Sequence, residues 1–139
     1  MINNLSSYFK QEQEYYLDSI KYTRLEENHD VKEHTLTCTD TLNAMLKNDS
    51  VVLTTIRHLH CEPKELFDIT ISFGAILRFN EGKKEEIDWK NINLADEFKE
   101  NGDFVLTNLY SRTSLLIAQI TSSYGLQPLI LPPKIEKQM

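Results

Sequence analysis

Apolar residues recur at spacings of three and four near the end of the chain, at Leu106, Leu109, Tyr110, Leu116, Ile117, Ile120 and Tyr124. That period puts them on one face and predicts an amphipathic helix over Thr107–Tyr124. Thr107 or Asn108 offers a cap at its start, and Gly125 offers the left-handed residue that stops it. After Gly125, the apolar residues Leu126, Leu129, Ile130 and Leu131 stand among Pro128, Pro132 and Pro133. Proline cannot continue a helix and biases its neighbours toward extended backbone. Residues 125–139 therefore read as an extended apolar arm, which needs cover from the body, a partner subunit or a ligand.

Upstream the pattern changes to alternation. Glu14–Leu25 reads as a strand with Tyr16, Ile20 and Tyr22 on one face and Leu17, Thr23 and Leu25 nearer the other. Val51–Cys61 is β-branched and alternating, a second strand. Leu66–Phe79 is a third, with Phe67, Ile69, Ile71, Phe73, Ala75, Leu77 and Phe79 on one face and Gly74 marking a bulge or bend. Glu86–Lys90 offers a short fourth strand carrying Trp89, and Asn93–Glu100 a short helix capped by Asn93 and closed by Asn101-Gly102. Thr35–Asn48 fits two readings, a short helix or an apolar crossover segment bearing Leu36, Leu42, Met45 and Leu46. Residues 1–13 read as a polar N-terminal arm. Strands first and the main helix last predict an α+β domain, an antiparallel sheet of about four strands with the long helix on one face.

At 139 residues, with 40% of them apolar, the chain suits one domain with a real core. Its formal charge of −6 disfavours nonspecific nucleic-acid binding, which needs basic side chains to displace counterions. No stretch approaches the roughly 20 apolar residues of a membrane span, and the N-terminus lacks the pattern of a signal peptide. A cytoplasmic location is expected, with Cys38 and Cys61 as reduced thiols.

Candidate chemistry is sparse. His58 and His60 share a strand face beside Cys61 and could offer two or three metal ligands, but no CxxC or HExxH accompanies them, so ordinary strand histidines and no metal are expected. Cys61 as a nucleophile would need a base and an orienting group. The acidic residues Glu26, Glu27, Asp30 and Glu33 and the pairs Glu85-Glu86 and Asp96-Glu97 sit beside turns, where charge is normally a solvated face. Tyr15, Tyr16 and Tyr22 suit core or interface packing as well as ligand binding. With no phosphate-binding glycine loop and no Ser-His-Asp motif, nothing argues for an enzyme or a cofactor. The long helix taken alone would ordinarily be core packing. The apolar residues outside regular elements, in the crossover region and the arm, exceed what one small sheet can face, and they point to assembly or ligand cover.

The order Phe104-Val-Leu-Thr-Asn-Leu-Tyr-Ser-Arg112, helix body, Tyr124-Gly125 and Leu129-Ile-Leu-Pro-Pro133 resembles the principal helix and following linker of the SecB family of protein-export chaperones. In that family an entry of the type Leu-x-Pro-Tyr-x-Arg leads the helix; here Tyr110 and Arg112 match, and Leu109 replaces the proline. The resemblance implies an ATP-independent holdase for non-native polypeptides, built as a homodimer or homotetramer. The family's crossover would fall on Glu26–Ser50. By segment, its client groove would draw on Leu42, Met45, Leu46, Leu126, Leu129 and Leu131, and its oligomer interface on Leu109, Tyr110, Leu116 and Ile120. Partners implied are SecA or, in relatives tied to toxin-antitoxin pairs, an antitoxin. The family's second helix and acidic tail after the linker have no counterpart in this sequence, which puts direct hand-over to SecA in doubt.

Overall fold

The computed structural model describes residues 2–25, 35–62 and 66–123. Four antiparallel strands, β1 (Glu14–Arg24), β2 (Thr35–Leu46), β3 (Ser50–Glu62) and β4 (Phe67–Arg78), form one sheet in the order β1-β4-β3-β2. Two helices follow, α1 (Leu94–Asn101) and α2 (Asp103–Ser122). The α+β architecture expected from the element order is the one observed.

The segment Thr35–Leu46 is a full strand, so neither the short helix nor the long crossover on Glu26–Ser50 is present there. Its alternation is masked by composition. The residues turned toward the helices are Leu36, Cys38, Asp40, Leu42, Ala44 and Leu46, a set too mixed to look like a core face. Residues 26–34, between β1 and β2, lie outside the described residues.

Burial along β3 and β4 separates the two faces of the sheet. Val51, Leu53, Leu59, Ile69, Ile71, Ala75 and Leu77 are buried on the helix side, while Val52, Thr54, Ile56, His58 and Ile76 occupy the open side. In β1 the register slips between Leu17 and Ser19, opposite Phe73 and Ser72. Asp18 is the extra residue of this bulge, and its carboxylate accepts a hydrogen bond from Ser72 Oγ at 2.8 Å. The slip puts Leu17 and Ile20 on the same face, which strict alternation from Tyr16 does not predict. The bulge expected at Gly74 is thus on the opposing strand. Gly74 serves close approach instead, since a Cβ there would lie 2.2 Å from Tyr16 Cζ.

Trp89 belongs to a 3-10 turn, Trp89–Asn91, rather than to a fourth strand. Its Nε1 donates to the Lys84 carbonyl at 3.0 Å. Asn93 caps α1, its side-chain oxygen accepting from the Asp96 amide at 3.1 Å. Gly102 then packs against the last turn, where a Cβ would lie 2.3 Å from the Phe98 carbonyl oxygen. Directly after it α2 begins, one turn earlier than Thr107, so Thr107 and Asn108 are interior helical residues rather than caps. Gly125, the expected stop, lies outside the described residues.

The N-terminal segment read as a polar arm is docked. Leu5, in the 3-10 turn Leu5–Tyr8, and Phe9 are both buried, and Phe9 bridges to Phe79 at the end of the sheet. Phe9 also packs against Trp89, Phe98 and Phe104 with ring centroids 5.8–6.5 Å apart, closing that end of the core with aromatic contacts.

Candidate functional site

Helix α2 packs over β4 and β3, and α1 packs against β2. The helix layer is narrower than the sheet, which decides what stays uncovered. Leu17 and Ile20 of β1, on the helix side, are 48% and 45% exposed; Leu36 at the start of β2 is 40% exposed and Leu115 on the outer side of α2 is 63% exposed. Met45, on the open side of β2, is 57% exposed. These are large apolar side chains whose cover does not come from the described residues.

Beneath α2 lies a buried charge. Arg57 is 1% exposed, and its Nε and Nη2 donate to the two carboxylate oxygens of Asp40 at 2.7 and 2.8 Å, a bidentate pair between β3 and β2. Its Nη1 donates to Ser114 Oγ of α2 at 2.9 Å, and its guanidinium lies 5.6 Å from the centre of the Tyr110 ring. Burial opposes the charge on Arg57, but the hydrogen bonds and charge of Asp40 more than offset it and raise the guanidinium's pKa. The clamp ties β2 and β3 to α2 at one point. Burial pushes the Cys38 thiol upward in pKa despite the nearby Arg57, and it pushes Cys61 upward too, so neither cysteine is set up as a thiolate nucleophile.

The structure does not gather the residues assigned to the groove. Leu42 is buried, 5% exposed, facing the helix layer beside Thr55; Leu46 is half-buried on that same side; Met45 points to the opposite side. Leu126, Leu129 and Leu131 lie outside the described residues. Of the residues assigned to the oligomer interface, Leu109 and Tyr110 are buried in the chain's own core, and Leu116 and Ile120 are half-buried at its margin. The exposed Leu115 was missed because it falls outside the three-and-four repeat that marks the buried face.

His58 and His60 stack on the open side with ring centroids 4.6 Å apart. Their Nε2 atoms bond Asp68 and Glu62 respectively, each at 3.0 Å. Cys61 points to the other side of the sheet, among core residues, so the three do not converge. Among the described residues no group of three or more His, Cys, Asp or Glu side chains is arranged to hold a metal ion.

A groove of about 750 Å³ opens between β2 and the segment leading into α1. Ala44 and Leu46 form one wall, and Trp89, Lys90, Ile92 and Leu94 the other. Of these only Leu46 was anticipated from the sequence. The far wall was hidden because Trp89 and Ile92 sit in short irregular turns that show no periodicity.

The neighbours of this architecture are informative. No family model and no curated protein matches the chain. Among solved structures, a SecB-like chaperone of Mycobacterium tuberculosis, Rv1957, superposes with a TM-score of 0.64 over 85% of this chain and 85% of that one. The chain has the SecB-like fold. At 14% identity the likeness lies in the fold rather than in shared side chains. The mycobacterial protein was solved in complex with a peptide from the HigA1 antitoxin. In this SecB-like fold, no helix among the described residues is long and apolar enough to cross a membrane.

Proposed function

We propose that the chain is a SecB-like, ATP-independent holdase that binds extended, non-native segments of other proteins. The observation that carries this reading is the SecB-like fold, shared over most of both chains with a chaperone solved with a peptide bound. The open groove beside β2, where Leu46 and Ile92 stand among Lys90, Asn91 and Asn93, and the exposed Met45 on the opposite side of the strand support it, because open surface that is partly apolar binds unfolded chains without demanding one sequence. The net charge of −6 favours clients rich in lysine and arginine. On this reading the protein is not an enzyme and works in the cytoplasm.

Assembly belongs to the same proposal. Leu17 and Ile20 of β1 with Leu115, Leu116 and Ile120 of α2 are assigned to pairing between copies in a homodimer or homotetramer. The arm residues Leu126, Leu129 and Leu131 are assigned to the client surface. A dedicated role is the second reading, favoured by the antitoxin peptide in the mycobacterial complex. Hand-over to SecA is the corresponding export role.

The test is suppression of light scattering from a chemically denatured model protein diluted into the full-length chain without nucleotide. Suppression of several unrelated model proteins at near-stoichiometric ratios is expected. Suppression of none, with tight binding of one partner from the same operon, would replace the general holdase by the dedicated reading.

A further inference from the structure

We propose that the outer edge of β2, unpaired among the described residues, accepts a client segment as a fifth strand of the sheet, so that recognition is led by the backbone rather than by side chains. This rests on the holdase reading and specifies its binding mode.

Among the described residues β2 pairs with β3 alone, in unbroken register from Thr35 opposite Glu62 to Leu46 opposite Val51. The Lys47 amide donates to the Ser50 carbonyl at 2.8 Å and closes the hairpin as a hydrogen-bonded pair. Antiparallel alternation then directs both the N–H and C=O of Leu46, Ala44, Leu42, Asp40, Cys38 and Leu36 away from β3. Among the described residues none of these groups takes a backbone hydrogen bond from another element. An edge of this length is normally protected by a bulge, a proline or outward lysines. In β2 there is no proline, lysine or arginine, and its single charge, Asp40, is drawn inward by Arg57.

The occupant we assign is an extended, non-native polypeptide with apolar side chains at alternate positions. Added alongside β2, it would turn every second side chain toward the groove of Leu46, Trp89, Ile92 and Leu94, and the others toward Asn43 and Met45 on the open side. The outward row of alternating N–H and C=O groups on β2 matches the backbone of one extended chain. Leu36 and Met45 on β2 are exposed for such a chain to cover, while the exposed Leu17, Ile20 and Leu115, assigned to pairing between copies, lie away from this edge.

The test measures binding of the full-length protein to a fluorescein-labelled peptide of about a dozen residues alternating leucine with lysine and threonine, long enough to match β2. Two versions carry N-methyl groups on alternate amides, in opposite phases, with side chains unchanged. Methylation in the phase facing β2 should weaken binding about ten-fold or more, and methylation in the other phase should leave it nearly intact. Equal affinity for both phases would overturn the edge mode while leaving the holdase reading standing. No binding of any version, together with no suppression of aggregation, would overturn both. Ala44→Pro, which removes one outward amide, should weaken the unmethylated peptide without altering oligomer size. If it changes oligomer size instead, the edge pairs copies; if the peptide binds only after residues 124–139 are removed, that segment is the occupant. Either result overturns the proposal.

Discussion

Strand β1, at one edge of the sheet, carries Lys21 and Arg24, is broken by a bulge at Asp18, and leaves Leu17 and Ile20 uncovered on its helix side. Strand β2, at the other edge, runs unbulged and almost free of charge, and is anchored from within by Asp40 on Arg57. The first edge is poor at adding a strand but presents side chains that favour a broad apolar contact. The second exposes Leu36 and Met45 beside a regular row of outward backbone groups. On the proposed function the two edges of one sheet would serve two kinds of partner, a second copy on β1 and an extended chain on β2.

The largest effect should come from breaking the anchor of β2. Arg57→Ala leaves Asp40 without its partner beneath α2 and should cost about 3–5 kcal/mol in urea unfolding. Arg57→Met combined with Asp40→Leu should recover most of that loss, because a packed apolar pair replaces the charges. A single-mutant cost below about 1 kcal/mol would mean the pair does not hold β2 in place.

Next in size is the close approach on β1. Gly74→Ala places a methyl against the Tyr16 ring and should cost about 1–3 kcal/mol. Adding Tyr16→Ser should restore part of it, and a double-mutant cycle measures the coupling directly. Additive costs would show that the ring moves aside freely.

The smallest effect on stability should come from the exposed apolar residues of β1. Leu17→Ser with Ile20→Ser should change monomer stability by no more than about 0.5 kcal/mol each. Light scattering should nevertheless report a smaller assembly. Unchanged size would move the pairing surface away from β1.

The fold is legible in the sequence where side-chain chemistry tracks one face. In β4 every second residue from Phe67 to Phe79 is apolar, and the buried face of α2 repeats through Leu106, Leu109, Tyr110 and Ile117, so strand and helix were both legible. On β2 the alternation is hidden because Asp40 turns inward only by virtue of Arg57, seventeen positions away, and threonines fill the open side. Leu42 looked available for clients for the same reason; without knowing that the segment is a strand, its burial is invisible. The β1 bulge defeated strict alternation, and Leu5 and Phe9 were lost in a polar context. The groove was least legible of all, since its walls come from a strand edge and two irregular turns that only the fold brings together.

The measurement that bears most directly on the holdase account is the affinity of the full-length protein, without nucleotide, for one client in its unfolded and its native form, read by fluorescence anisotropy. The account predicts micromolar or tighter binding of the unfolded form and none of the native form. Equal binding of the two forms, or binding of neither across several unrelated clients, would contradict it.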